Sequence, residues 1–460
     1  MNVSVTEGVV ELSQALQIDQ SLSVDYAGIA KVDQKMQFVR KQKATSTSIN
    51  IVVYARHENA SRSARNPKMT VDTQDMKVAD FVDAYGDSYI ESVDEGGEYY
   101  AVYTFFTETK SEQTALKASL KASGIYSGVS ASGSLEIAID NFVKTTNTAW
   151  TFDQEISGIQ NPVLPTRDTM VDFAIKFPSI PLDAPVVIGM TTTGYEHVPD
   201  LDPEFKEKFA IIIKNRRYFV GSRIDGGLTE PLVKIASLQN SVAVLEEIYG
   251  TYGYDGDTGL REFRDLLEEN RKAISAQFVA YEDDPVQDFT PPDLPSLDKG
   301  TPVLTFDKGT SALWGGGGGG PFDFPPIQES LRNRQTLRVI RLRSGSEIDA
   351  ITLGYRDMHG DLAAQKHGGG GGSDQNALSF DPGEFVTQVD VRSGRRIDNL
   401  KITTNRGAST QGGGGGGGPH TWSVPDGAVV LGFQGRSGAR LDAIQVVYAA
   451  LKPAEFRPNS

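Results

Sequence analysis

Side chains that could carry out bond-breaking chemistry are scarce in this sequence. It contains no cysteine, and its histidines show no spacing typical of metal ligands: His57, His197, His359, His367 and His420. A nucleophile elbow of the GxSxG type is absent, and no pair of acidic residues can be singled out as general acid and base. We therefore expect a protein that recognises its ligand without transforming it, with no enzymatic activity, no cofactor and no bound metal.

Three runs of glycine mark the last third of the chain: Gly315 to Gly320, Gly368 to Gly372, and Gly412 to Gly418. They match GxGxxG trivially, but no βαβ unit surrounds them, so they do not indicate a dinucleotide site. Glycine runs alone are typical of flexible linkers. Their flanks oppose that interpretation, because they resemble the jacalin-related lectin family from about 309 to 450: WGGGGGGPFD (314–323), HGGGGG (367–372) with Glu384 and Phe385, LKITTNRG (400–407) and VVLGFQGRSGARLDAI (429–444).

The lectin resemblance implies an all-β C-terminal domain, a β-prism of three four-stranded sheets. Alternating apolar residues around Val339, Ile351, Val389 and Val446 fit such strands. The resemblance also implies a carbohydrate-binding loop of the Gly-x-x-x-Asp type, in which the carboxylate accepts from two sugar hydroxyls and backbone amides donate. Carried onto this chain, that loop and the family's first-loop glycine fall on Gly438, Ala439, Arg440, Leu441, Asp442 and Gly319.

An alternative role for Asp442 is that of a turn residue that caps its own backbone. If it does bind sugar, mannose or glucose is the better expectation, because galactose-preferring members carry aromatics where Ala439 and Arg440 stand. Without an aromatic platform the affinity of one site is expected to be weak. Oligomerisation would compensate for weak sites through avidity.

A second motif lies in the N-terminal part, within YGDSYIESVDEGG at 85–97. A helical run from about Val78 is expected to end here and the chain to bend sharply, with the two tyrosines on one helical face and the glycine pair as a hinge. The spacing resembles the signature of the membrane attack complex/perforin (MACPF) family. It is formed by Tyr85, Gly86, Tyr89, Gly96 and Gly97.

That resemblance implies an α+β domain, in which a bent antiparallel sheet is flanked by helical clusters at about 8–40 and 110–145. In the family these clusters unfurl into β-hairpins that enter the membrane. Both regions carry alternating apolar residues that could form the inserting faces: Leu22, Val24, Tyr26, Val32, Met36 and Phe38, then Ile125, Val129, Leu135, Ile137 and Ile139. An ordinary half-buried strand in a soluble sheet has the same pattern.

Two departures separate this chain from the MACPF pattern. Asp87 and Ser88 stand where the family has a histidine, and too few residues precede Leu12 for the usual first strand. We accordingly expect a MACPF-like domain at 1–195, possibly lacking that strand. A helical extension at 196–285 follows, then a Pro- and Asp-rich linker at 286–308 and a jacalin-like domain at 309–452.

The 460-residue chain carries a net charge of −15, which opposes nucleic-acid binding. It has no apolar run of 18 residues and no recognisable signal peptide. We therefore expect a soluble, released protein that then associates with a target membrane. The predicted function is glycan-targeted pore formation, with surface glycans, membrane lipid and further copies of the chain as partners. The alternative is a non-lytic lectin whose N-terminal domain is structural or oligomerising.

Overall fold

The computed structural model describes residues 1–18, 34–125, 132–220, 227–255 and 257–458. None of the helices it describes combines the length and the apolar character that a membrane span requires.

An antiparallel sheet forms the centre of the N-terminal region. Its strands are β1 to β5: Asn2–Glu7, Ile49–Ser63, Ser88–Phe105, Trp150–Ser157 and Val186–Gly194. They run in the order β1-β2-β3-β4, with β5 also paired to β3. The β-branched and aromatic residues at 49–55 of β2 and at 99–105 of β3 are buried on both faces, which explains why these parts of both strands are long apolar runs.

Helices cover both faces of this sheet. Between β1 and β2 lie α1 (Gly8–Ala15) and α2 (Gln34–Lys41), which pack with the face that carries Val52 and Val102. The opposite face is covered mainly by helices α4, α5 and α6: Lys110–Ala122, Ser132–Thr145 and Met170–Lys176. Helices α4 and α5 connect β3 to β4, so each of two strand pairs encloses two helices.

The glycine pair lies inside β3, where the strand changes partner. Up to Gly96 the strand pairs with β5, and from Glu98 onward it pairs with β4. A Cβ at Gly96 would lie 2.1 Å from the His57 carbonyl oxygen, and one at Gly97 would lie 2.7 Å from the Ser157 carbonyl oxygen. Glycine is therefore needed here for close backbone packing.

The expected helix-then-hinge arrangement is wrong in two respects. Helix α3 spans Val78–Tyr85 and ends at Gly86, whose φ of 75° suits glycine, so Tyr89 already lies in β3. Tyr85 and Tyr89 therefore share no helical face; their rings contact Phe81 and Tyr195 respectively. The glycine pair is part of a strand and does not follow a helix end.

A strand precedes α1, although the short N-terminal segment suggested that the domain could lack one. Strand β1 pairs with β2 from Asn2 opposite Tyr54 to Glu7 opposite Ile49. The six residues of β1 fit before α1 because no loop separates them: the helix follows the strand directly at Gly8, whose φ is 65°.

Where described, the alternating segments are helical. Phe38 is buried in α2, while Leu135 and Ile139 are buried and Ile137 is 62% exposed in α5. Leu135, Ile139 and Phe142 recur at i, i+4 and i+7, a spacing that buries one helix face as well as it satisfies strand alternation. Met36 belongs to α2. Ile125 is buried three residues after the end of α4. Leu22, Val24, Tyr26, Val32 and Val129 lie outside the described residues.

Four helices follow the sheet, α7 to α10: Pro203–Lys208, Ala210–Val220, Thr229–Thr251 and Thr258–Asp283. Leu260, Phe263 and Leu267 form the buried face of α10. This face and α9 share one apolar core with the C-terminal domain, including Leu431 and Leu451.

Three sheets and one short helix, α11 (Ile327–Arg332), make up the C-terminal domain. The first sheet contains Thr301–Thr310 (β6), Trp314–Gly315 (β7), Gly320–Phe322 (β8), Ala428–Ser437 (β19) and Leu441–Arg457 (β20). The second contains Thr336–Ser344 (β9), Ile348–Asp357 (β10), Gly360–Asp361 (β11), Gln365–Gly368 (β12), Ser373–Asp374 (β13) and Leu378–Ser379 (β14). The third contains Val386–Ser393 (β15), Ile397–Thr404 (β16), Ser409–Gly413 (β17) and Gly418–Ser423 (β18).

The inner faces of these three sheets meet in one core, to which Ile340, Val389 and Phe433 each contribute from a different sheet. The expected linker is too long, since Thr301 to Lys308 pair with the end of β20 as part of the first sheet. Antiparallel pairing satisfies the backbone of this segment, and Val303 and Leu304 are buried in it.

The C-terminal domain also contacts the N-terminal sheet. Arg332 pairs with Glu108 and Glu112 at the start of α4. The indole of Trp150 in β4 stacks on the His359 ring with centroids 3.9 Å apart.

Candidate functional site

The predicted loop at Asp442 is a tight turn between β19 and β20. The Gly438 N–H donates to the Arg440 carbonyl oxygen over 2.9 Å, which closes the turn between Ser437 and Leu441. The turn directs the Asp442 side chain toward the glycine run at 315–320, and only 7% of this residue is exposed. Ala439 lies in the same turn, so the six predicted residues come together.

The glycine run covers one side of the Asp442 carboxylate. A Cβ at Gly318 would lie 2.5 Å from Asp442 Oδ1, and a Cβ at Gly319 would lie 2.6 Å from Oδ2. Gly319 also has a φ of 62°, which L side chains rarely adopt. Only glycine lets this backbone approach the carboxylate so closely, and the result is a carboxylate acceptor beside main-chain amides.

The sequence around Asp442 occurs three times, each time at a turn between two strands: RSGSEID at 343–349, RSGRRID at 392–398 and RSGARLD at 436–442. Each turn faces a glycine run of its own, at 368–372, 413–417 and 315–319 respectively. We refer to these arrangements as the Asp349, Asp398 and Asp442 sites. Their repetition gives the domain an approximate threefold symmetry.

The three sites share their geometry closely. A Cβ at Gly371 would lie 2.4 Å from Asp349 Oδ1, and one at Gly416 would lie 2.4 Å from Asp398 Oδ1. The following glycine has a φ of 62° in the first case and 63° in the second, as at the Asp442 site. The sequence analysis missed the Asp349 and Asp398 sites, although the repeated RSGxx(I/L)D pattern beside each glycine run was a visible signal.

All three sites lie at the same end of the prism. Gly369 contacts Ala439, Gly414 contacts Ser346 and Gly316 contacts Arg395, so each run packs against the turn of a neighbouring site. The opposite end of the prism packs on α9 and α10, because Val429 near the start of β19 lies in the core shared with these helices, whereas Ser437 at its end lies at the sites. The site end therefore points away from the helices.

Charged side chains cross between the turns. Glu347 accepts hydrogen bonds from Arg440 and, over 3.3 Å, from Arg396. Arg396 Nε lies 3.6 Å from Asp442 Oδ1, and Arg440 Nε lies 3.7 Å from Asp349 Oδ1. The hydrogen bond from Arg440 holds the pKa of Glu347 below its usual range.

The Asp398 site differs in charge from the other two. Among the described residues no arginine forms an ion pair with the Asp398 carboxylate. The position that supplies Arg396 and Arg440 in two turns holds Glu347 in the third. The three sites are thus alike in backbone geometry but not in electrostatics.

The aspartates differ in whether they accept a hydrogen bond from the backbone of their own turn. Asp349 Oδ2 accepts from the Gly345 N–H over 3.0 Å, so this carboxylate does cap its own turn. For Asp442 the described part of the chain shows no hydrogen bond from its own turn to the carboxylate. The capping alternative therefore has less support at Asp442, whose oxygens remain acceptors for a ligand.

The described residues of the predicted MACPF signature lie in or between α3 and β3. Asp87, which stands where the MACPF family has a histidine, accepts from Arg216 Nε over 3.3 Å and from the Tyr281 hydroxyl over 2.8 Å. It ties the start of β3 to α8 and α10. Among the described residues no group of three or more histidine, aspartate or glutamate side chains is arranged to hold a metal ion.

Three sheets around one core, with glycine-opened acidic turns at one end, define a β-prism domain with the architecture of a lectin. Residues 311–447 match the sequence model of the family described as Jacalin-like lectin domain. The chain therefore carries a C-terminal jacalin-like lectin domain.

Solved structures similar to this chain include three lectins. Malaysian banana lectin is 28% identical over 32% of this chain and 99% of its own, with a TM-score of 0.27. AcmJRL, a mannose binding jacalin related lectin from Ananas comosus, is 26% identical over 32% and 99%, with a TM-score of 0.27. Calystegia sepium agglutinin is 24% identical over 32% and 98%, with a TM-score of 0.27. Each of these matches covers about a third of the chain. The MACPF resemblance of the N-terminal region remains a prediction.

Proposed function

We propose that the C-terminal domain binds carbohydrate at the Asp442 site and at its two repeats. The observation that carries this proposal is the position of the Asp442 carboxylate, whose two oxygens lie beside Gly318 and Gly319 in a jacalin-like domain. Adjacent hydroxyls of one sugar can donate to both carboxylate oxygens while the amides of Ala439 and Arg440 donate to the sugar. No catalytic step is part of this function.

Mannose-type hexopyranosides are the preferred ligands. The turn carries Ala439 and Arg440 where an aromatic side chain would favour galactose, and the similar lectin from Ananas comosus is described as mannose binding. Each site lacks a stacking ring in its turn, so single sites bind weakly. Three sites on one end of the prism raise the affinity for multivalent glycans through avidity.

A glycan array with fluorescently labelled full chain tests this function. Wild-type protein should bind mannose-terminated glycans, and binding should disappear when Asp349, Asp398 and Asp442 are all replaced by asparagine. A matched control is Asp390→Asn, because Asp390 lies in the same domain on β15, outside the repeated motif. Equal binding by the triple variant would overturn the assignment of these sites.

A second function, insertion of the N-terminal region into membranes, is favoured by its strand and helix order. Helix pairs are enclosed by β1 and β2 and again by β3 and β4, and the Gly96–Gly97 pair lies where β3 changes partner. In this proposal the lectin domain docks on surface glycans, copies of the chain assemble, and both helix pairs extend as hairpins. The protein acts after release, at a target membrane.

Insertion has to break a buried ion pair. Lys35 Nζ on α2 lies 2.7 Å from Glu98 Oε2 on β3, directly after the glycine pair, and both side chains are almost fully buried. Dye release from liposomes with and without mannosylated lipid tests the proposal. Glycan-dependent release supports pore formation, whereas binding without release supports the alternative of a non-lytic lectin with a structural N-terminal domain.

A further inference from the structure

We propose that Arg343, Arg392 and Arg436 are positioning residues for sugar binding. Each holds the glycine run of its own site in the conformation that receives the sugar. This inference rests on the proposed carbohydrate binding and adds to it the groups that order the flexible half of every site.

Each arginine spans successive carbonyl groups of one glycine run. Arg436 Nε donates to the Gly318 carbonyl oxygen over 2.9 Å, and its Nη2 donates to that of Gly319 over 2.7 Å. Arg392 makes the same pair of hydrogen bonds, to Gly416 over 3.0 Å and Gly417 over 2.9 Å.

The third copy has the same arrangement with additional partners. Arg343 Nε donates to the Gly371 carbonyl oxygen over 3.2 Å, and its Nη2 donates to Gly372 over 2.9 Å and to Gly370 over 3.3 Å. Its Nη1 also donates to Asp374 over 2.7 Å. Arg392 and Arg436 are therefore the cleaner test positions.

The arginine and the aspartate hold the run from two directions. At the Asp442 site the carbonyls of Gly318 and Gly319 accept from Arg436, while a Cβ at either glycine would meet the carboxylate. Because a peptide group is planar and trans, fixing a carbonyl also fixes the direction of the N–H in the same peptide. Arg436 thereby fixes the direction of the N–H groups of Gly319 and Gly320, which follow the two bound carbonyls.

Glycine makes such a restraint necessary. Consecutive glycines have more backbone freedom than any other sequence, and a free run would have to be ordered when the sugar binds. The planar guanidinium suits two neighbouring carbonyls, whereas lysine offers a point charge that cannot span both in one plane. The arginines thus pre-organise the sites and improve affinity by lowering the ordering cost of binding.

The experiment uses full-length protein with ¹⁵N-labelled glycine, so that backbone amides of the three runs report each site separately. Variants Arg436→Met and Arg392→Met are titrated with methyl α-mannopyranoside and compared with wild type. Arg341→Met serves as the matched control, because Arg341 is an exposed arginine on β9, two residues from Arg343 and outside the repeated motif.

Arg436→Met should weaken the Asp442 site roughly tenfold and leave the Asp398 site unchanged, since one or two freed residues must be ordered again. Arg392→Met should do the reverse. Arg436→Lys should recover part of the loss. Hydrogen exchange at the amides of Gly319 and Gly320, which share peptide groups with the two bound carbonyls, should rise in Arg436→Met without sugar, while the thermal midpoint stays near that of Arg341→Met.

Unchanged affinity at both sites in Arg436→Met, or an equal loss at all three sites with a lowered midpoint, would overturn the positioning role. Absence of any sugar-dependent shift in wild type would overturn the proposed function and this role together. The two failures are distinguishable, because only the second appears without a substitution. Unaltered glycine exchange in Arg436→Met would independently contradict the restraint.

Discussion

Alanine at Gly318 is expected to disable the Asp442 site without unfolding the domain. The new Cβ would lie 2.5 Å from Asp442 Oδ1 and 3.0 Å from its Cγ, against 3.4 Å for the shortest ordinary contact. The carboxylate or the run must therefore move by roughly 0.9 Å, which exceeds the tolerance of about 0.5 Å for a binding constellation.

The magnitude follows from the hydrogen bonds that this shift removes. Hydrogen bonds to a charged group contribute about 1.5–3 kcal/mol each, so misplacing the Asp442 carboxylate should weaken this site roughly 10- to 100-fold. The Asp349 and Asp398 sites should keep their affinity, because they use other runs.

Gly317→Ala is the matched control, since a Cβ at Gly317 meets nothing within 4 Å. It should leave sugar affinity unchanged and add about 0.4–1 kcal/mol of folding stability through the reduced entropy of the unfolded chain. Glycine-selective NMR titrations with methyl α-mannopyranoside measure both variants. Equal affinities of Gly318→Ala and wild type at the Asp442 site would refute the carboxylate geometry on which the site rests.

Three further predictions concern other parts of the molecule. Gly96→Ala should destabilise the N-terminal sheet by about 1–3 kcal/mol in urea unfolding, because its Cβ would lie 2.1 Å from the His57 carbonyl oxygen, while sugar binding persists. Asp442→Asn should weaken its own site about tenfold and spare the other two, as resolved by NMR. Glu347 has its pKa lowered from 4.5 by Arg440, so its stabilising contribution is complete above that pH and is lost as the pH falls through the lower folded value. Glu347→Gln should remove this acid-side loss from thermal midpoints measured between about pH 6 and pH 3.

Sequence patterns identified the lectin domain well because its signals are local. The glycine run before Phe322 and the turn ending at Asp442 are short segments whose chemistry requires glycine or a carboxylate at fixed positions. The turns at Asp349 and Asp398 carry the same local signal, because each has the RSGxxID pattern beside a glycine run.

Contacts between segments that are distant in sequence could not be predicted from such local motifs. The pairing of Glu347 with Arg396 and Arg440 joins three turns that are distant in sequence and meet only when the prism closes. Likewise, the sequence places the segment from Thr301 in the linker, whereas the structure pairs it with β20. Tertiary pairing, and not composition, makes it a strand.

In the N-terminal region two periodicities coincide at 135–142, which is why strand alternation occurs in a segment that was expected to be part of a helical cluster. Leu135 and Ile139 satisfy both strand alternation and helical spacing, and the sheet core selects the helix. The glycine pair was recognised, but its role as a close backbone contact depends on His57 and Ser157 from two neighbouring strands. Such contacts are properties of the folded sheet.

The position at which a sugar binds is the most direct test of the carbohydrate sites. Titration of wild-type, glycine-labelled full chain with methyl α-mannopyranoside should shift the amides of the three runs saturably and leave glycines such as Gly96 unaffected. Absence of shifts in all three runs, or saturable shifts confined to glycines outside them, would contradict the assignment of these turns as carbohydrate sites.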